Sequence, residues 1–237
     1  MKHSVAALCA ILLITSCEKK ESDKNLHITG NIKGLKKGIL YIQKVVDTSL
    51  VAIDTIKIDG DSHFSADIDL KSPEMYYLFL DRGVTNSLDN NLPFFVEPGT
   101  IHIETDLERF LSGAKVTGSK NNDKYTEFKK VKTRFTDENL MLMEQKLNAY
   151  KDNNSKIIDS IEQLQDRNTK RFYLYTTNFA VNNKDFELAP YLALAEIPDI
   201  NFKFLDTIQK SMTPKVAKSY YGKKLSQYHS QRKKIGQ

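Results

Sequence analysis

The chain has 237 residues, with 35 basic and 30 acidic side chains, a formal net charge of +5, two cysteines and no tryptophan. That surplus is modest, and its clusters (Lys129-Lys130, Lys223-Lys224 and Arg232-Lys233-Lys234) lie among acids in helical stretches. They read as solvated helix faces, not as the concentrated basic stripe of a nucleic-acid-binding protein.

The first 25 residues address the compartment. Lys2 supplies a short positive region, and Val5 to Ile14, "VAALCAILLI", is an apolar run of ten. A span needs about 20 apolar residues, so this run is too short to cross a bilayer and reads as a signal-peptide core. Ile14-Thr15-Ser16-Cys17 follows and resembles the lipobox of bacterial lipoproteins. That resemblance implies cleavage before Cys17, lipidation of its sulfur and an anchor in the membrane. Cys9 would leave with residues 1–16, and the mature chain would hold neither free thiol nor disulfide. "EKKESDKN" has no apolar residue and reads as a tether through residue 25. Glu18 after the cysteine, by resemblance to lipoprotein sorting, favours the outer membrane.

Glycine divides what remains. Eight of the ten glycines fall between Gly30 and Gly118, and none lies between Ser119 and Tyr221. Left-handed turns call for glycine and helix interiors avoid it, so residues 26–118 should be β and residues 119–237 helical. The strand candidates are "LHITGNIK", "ILYIQKV", "LVAIDTIKI", "HFSADIDL", "MYYLFLD", "LPFFVEP", "TIHIETD" and "AKVTG". Period-two alternation in "AIDTIKI" and "HFSADIDL" gives each one buried and one wet face. Connections too short for parallel crossovers argue an antiparallel sandwich or a partly open barrel. The fold class is α+β.

The helical part opens near "NNDKYTEF", where Asn122 or Asp123 can cap. Apolar residues at helical spacing mark "YTEFKKVKTRF", "NLMLMEQKLNAY", the long run from Ser155, "FELAPYLALAEI", "INFKFLDTIQKS" and the stretch opened by Thr213-Pro214. About five helices are expected.

Chemistry-bearing motifs are scarce. The chain has no C-x-x-C, no G-x-S-x-G and no H-E-x-x-H. Ser119 lacks the lysine of S-x-x-K, and "SYYGK" has its lysine one place too late. His27, His63, His102 and His229 are isolated in sequence; His63 and His102, on alternating strand positions, read as solvent-facing. Asp59, Asp61, Asp67 and Asp69 do not follow the EF-hand spacing, and a hairpin with a D-G turn explains them. In "RFYLYTTNF", Phe172, Tyr175 and Phe179 share one helix face, which is core by default.

The order of elements resembles a known domain. "ITGNIKGLKKGILYI", "DTIKIDGDSHFSADI", "FFVEPGTIHIETD" and "KVTGSKNNDKYTEF" are similar to the N-terminal domain of unknown function of TlpA/ResA-like thiol–disulfide oxidoreductase lipoproteins. Its features here are G-x-I-x-G, a hairpin with Asp54, Ile58 and Phe64, EPG-x-I-x-I and V-x-GS-x-x-N. In those relatives a thioredoxin domain with C-x-x-C follows, whereas this sequence ends "KKIGQ", so no catalytic residue carries over. The expectation is a non-enzymatic, membrane-anchored binding or interaction module without cofactor, metal or nucleic-acid partner, lipidated at Cys17. An accessory subunit for a separately encoded, exported thioredoxin-like oxidoreductase is the alternative, and a hydrolase with a site hidden in one sequence is the third reading.

Overall fold

A computed structural model of the chain describes residues 23–83 and 87–236. Eight strands come first: β1 Leu26–Lys33, β2 Lys37–Val46, β3 Ser49–Asp59, β4 His63–Ile68, β5 Glu74–Asp81, β6 Asn91–Val96, β7 Gly99–Asp106 and β8 Lys115–Thr117. Six α-helices follow among the described residues: α1 Lys120–Lys151, α2 Ser155–Asn182, α3 Leu188–Ala195, α4 Phe202–Ser211, α5 Pro214–Lys218 and α6 Tyr220–Lys234.

The strands form two open four-stranded sheets, ordered β4-β1-β7-β8 and β3-β2-β5-β6. Their inward residues make one core, with Leu26, Ile28, Leu40, Ile42, Leu78, Leu80, Phe94, Ile101 and Ile103 at 0% exposure. Two β details depart from the sequence reading. β1 pairs parallel with β7, Leu26 opposite Gly99 through Lys33 opposite Asp106. Short connections forbid parallel pairing only between consecutive strands, and here the crossover passes through the whole second sheet. The D-G turn at Asp59-Gly60 is no hairpin either, since β3 pairs with β2 and β4 with β1. It carries the chain from one sheet to the other; Ile56 and Ile58 before it and Phe64 and Ala66 after it face the shared core, whereas Leu50, Val51 and Ile53 at the start of β3 are exposed.

Glycine is required where the chain closes on itself. A Cβ on Gly30 would lie 2.4 Å from the Ile103 carbonyl oxygen and 2.5 Å from the Phe64 ring. Phe64 sits opposite Gly30 in the β1–β4 register, so its ring covers the bare glycine. These two residues of the sequence motif serve packing.

The outer faces differ. β5 and β6 read "EMYYLFLD" and "NLPFFV" and are buried on both faces along much of their length. Runs of that kind need a cover on each side. The cover comes from the helices: Met75 and Phe95 pack with Tyr125, Phe128, Leu188 and Leu192 in a second core. The molecule therefore has three layers, sheet on sheet on helices.

Ser119 caps α1, its hydroxyl accepting the Asn122 N–H at 3.0 Å. Asn122 and Asp123, expected as caps, lie inside the first turn, because the chain turns helical directly after Gly118. "YTEFKKVKTRF" and "NLMLMEQKLNAY" fuse into one 32-residue helix, with neither glycine nor proline between them to stop it. The stretch from Thr213 divides instead at Ser219, whose extended backbone ends α5 and whose hydroxyl caps α6.

Candidate functional site

Cys17, Cys9 and the apolar run lie outside the described residues, as does the predicted cleavage site. The other flagged residues are visible. His27, His63 and His102 stand on the outer side of the first sheet, about one third to two thirds exposed, each 2.7 Å from a carboxylate: Asp67, Asp61 and Glu104 respectively. His102 also meets Thr29 Oγ1 at 2.9 Å. Among the described residues no group of three or more His, Cys, Asp or Glu is placed to hold a metal. Asp59 turns to Lys37 and Asp61 to His63, so the aspartates of the D-G stretch do not converge. His229 packs at 4.8 Å on Phe202 and bonds Asp206 at 3.0 Å. Phe172, Tyr175 and Phe179 join the helical core around Phe128, as their spacing predicts.

The motif residues converge on the junction of strands and helices. The Glu97 carboxylate accepts the Lys120 N–H at 2.8 Å, the Asn121 N–H at 3.2 Å and Asn121 Nδ2 at 2.7 Å. A carboxylate thus takes up two otherwise unpaired donors at the positive end of α1. Asn122 Oδ1 accepts the Phe95 N–H at 3.0 Å. Asn121 also donates to buried Glu187 at 3.0 Å and accepts the Leu188 N–H at 3.0 Å, tying α1 to α3. Gly118 has φ +95°, and a Cβ there would lie 2.0 Å from the Thr100 carbonyl oxygen. The conspicuous sequence pattern is a structural joint. Ser119 and Ser219 both have hydroxyls committed to helix capping.

A concave site lies beside that joint, between the outer face of the second sheet and helices α3 and α6. Val45, Met75, Tyr77, Tyr191, Leu194, Ala195, Tyr220, Tyr221 and Lys224 line a cavity of about 330 Å³. The tyrosines hold one another: Tyr191–Tyr221 and Tyr220–Tyr221 ring centres are 5.1 Å apart, and Phe95 meets Tyr191 edge-on at 5.8 Å. Backbone contacts fix them further. The Met75 N–H donates to Tyr221 Oη at 3.1 Å, and the Tyr220 N–H donates to Ser72 Oγ at 3.1 Å.

The electrostatics follow from burial. It pushes the phenols of Tyr77, Tyr191 and Tyr221 upward, so all three stay protonated across the neutral range. Glu74, 6% exposed on the rim, is also raised by burial, an effect partly offset by Lys44 at 3.5 Å and by the charge of Lys224. Lys224 Nζ stands 4.8 Å from the centre of the Tyr220 ring. Apolar wall, phenols and one cation are recognition chemistry: they can bury a hydrophobic body, donate hydrogen bonds and attract a negative charge. The sequence reading missed this site. Its trace was the two tyrosine doublets, Tyr76-Tyr77 and Tyr220-Tyr221, which only the tertiary fold brings together.

A second surface stands apart from the core. Beyond Phe135, α1 and α2 continue as a hairpin whose shared cluster is Leu142, Ala149 and Ile161, with Ile158 packed against it. Leu140, Met143, Leu147 and Tyr150 recur at helical spacing on the water side of α1, each about half exposed.

By architecture this is an α+β protein whose sandwich carries a helical layer and an aromatic cleft between the two. Residues 26–125, from β1 into the first turns of α1, match the family model described as a domain of unknown function (DUF4369). The matched span includes the whole sandwich and the Glu97–Asn122 joint but stops before α3 and α6. No curated protein and no solved structure matches the chain.

Proposed function

We propose that the chain is a non-catalytic binding module of the bacterial cell envelope, anchored through lipid on Cys17 and facing the periplasm from the outer membrane. The cleft of Tyr77, Tyr191, Tyr220, Tyr221 and Lys224 carries this reading, because its lining supplies recognition groups and no nucleophile–base pair. Native mass spectrometry tests it on protein released from its own membrane, comparing wild type with Leu194→Trp, which fills the cavity. A small molecule retained by wild type and lost from the variant is expected. A bound species unaffected by the substitution contradicts the assignment of the cleft. The anchor is tested separately: Cys17→Ala should abolish palmitate labelling and membrane association, and labelling that survives refutes it.

A second reading makes the chain an accessory subunit for an exported thioredoxin-like oxidoreductase. The exposed strip Leu140, Met143, Leu147 and Tyr150 favours it, since apolar rows left in water mark contact surfaces. Leu140→Lys with Leu147→Lys should then abolish capture of such a protein by the mature chain. Equal capture by both forms sinks this reading.

A further inference from the structure

We propose that the aromatic cleft selects small molecules with an apolar body and a single carboxylate, and that Lys224 is the residue that reads the carboxylate. The inference rests on the cleft being the ligand site and adds the class of ligand.

The argument is one of charge balance in a half-buried place. Lys224 is the one charged side chain in the described lining, and the carboxylates whose charge reaches the cleft tyrosines each have another lysine as their ion-pair partner. Glu74 is matched by Lys44 at 3.5 Å, and Glu196 by Lys132. Among the described residues no carboxylate lies within 4.0 Å of Lys224, so the cleft holds one surplus positive charge. Its ammonium is kept at the mouth by the Tyr220 ring, over which it lies at 4.8 Å. Tyr220 is itself fixed by Tyr221 and by its bond to Ser72, so the cation is positioned, not free to sweep the surface. Tyr221, whose oxygen accepts the Met75 N–H, keeps its own proton to offer.

The remaining lining is apolar: Val45, Met75, Leu194 and Ala195 with the tyrosine faces. A cavity of about 330 Å³ stands at the small end of the roughly 300–1,000 Å³ typical of small-molecule sites. A dianion would leave one charge unmatched in that setting, and a cation would meet Lys224 as a like charge. A zwitterion would bring a second ammonium into the cleft that already holds Lys224. The fit is an apolar body with one negative end.

Isothermal titration with decanoate, 1-decanol and decyltrimethylammonium measures the discrimination on the full mature chain. Wild type should bind decanoate at least about tenfold more tightly than decanol, the range of one charge-assisted hydrogen bond, and should not bind the cation. Lys224→Met, which keeps the stem over Tyr220, should remove the preference and leave decanol affinity unchanged. Equal affinity for decanoate and decanol in wild type, or an undiminished preference in Lys224→Met, overturns the ligand class while leaving the cleft as a binding site. Heat on titration of none of the three overturns both. Unchanged circular dichroism and melting of Lys224→Met certify that its fold is intact.

Discussion

The two sheets share one core and have opposite outer faces. The first turns His27, Thr29, Asn31, Ser65, Asp67, His102 and Glu104 to water, and its charges pair locally at the surface. The second turns Met75, Tyr77 and Phe95 outward and is capped by α1, α3 and α6. Both obey the same alternation on the inside. What differs is the chemistry of the alternate positions, and that difference decides which sheet receives the helices and where a cleft can form. The cleft proposed as the binding site lies on the covered face, between the second sheet and helices α3 and α6.

The largest test of that contrast is Phe95→Ala. Phe95 is fully buried between the second sheet and three helices, and its loss should cost about 3–5 kcal/mol. Thr29→Ala, on the wet face of the first sheet, should cost only about 1 kcal/mol, the range of its hydrogen bond to His102. Chemical denaturation of both variants reads the difference, and similar losses would erase the distinction between the faces.

Next comes the joint. Asn121→Ala removes donors to Glu97 and buried Glu187 and the acceptor of the Leu188 N–H. Buried groups left without partners cost about 1–3 kcal/mol each, so a loss of about 2–3 kcal/mol is expected after partial rescue by water. An unfolding midpoint unchanged by the substitution would show that the helices are held by apolar contact alone.

A pH series gives a smaller effect of known sign. Burial holds Glu74 above its usual value of 4.5, so the folded state binds that proton more tightly than the unfolded chain. Its contribution to stability is complete below about 4.5 and fades as pH rises through the folded value. Asp206 is held below 3.8, chiefly by Lys210 and then by His229, and acts oppositely: its contribution is present above that value and fades as pH falls through the folded one. Glu74→Gln should therefore flatten the decline in stability between pH 4.5 and neutrality, and Asp206→Asn should leave that limb alone. The reverse pattern would contradict the assignment of burial to Glu74. Smallest of all, Lys224→Met should change stability by less than about 0.5 kcal/mol, separating recognition from folding at the cleft.

Much of the fold was legible because its signals are local. All eight strands were marked by alternation or apolar runs, and Gly118-Ser119 by the end of the glycine-rich part. Even the two-sided burial of β5 stands in "MYYLFL", an apolar run without a wet position. The parallel β1–β7 pair was not legible, since pairing across some sixty intervening residues leaves no local mark. The same holds for the D-G turn, where Asp59-Gly60 looks identical whether the next strand pairs with β3 or crosses to β1. The site was hidden for a related reason. Tyr77 lies on a strand, Tyr191 on α3 and Tyr221 on α6, and each alone reads as core. The motifs that did stand out, Glu97 and Ser119 with Asn122, belong to the joint, where backbone donors at the start of α1 demand particular side chains at particular places.

The methionines supply the most direct test of the claim that the covered face of the second sheet binds the ligand. Met75 lines the cleft, Met141 and Met143 stand exposed on the distal α1–α2 hairpin, and Met212 packs in the helical core. Methyl NMR of 13C-methyl-methionine protein during a decanoate titration should move the Met75 resonance, in a saturable manner, and leave Met141 and Met143 in place. Saturable shifts at Met141 or Met143 with Met75 silent would place binding on the hairpin and contradict the account.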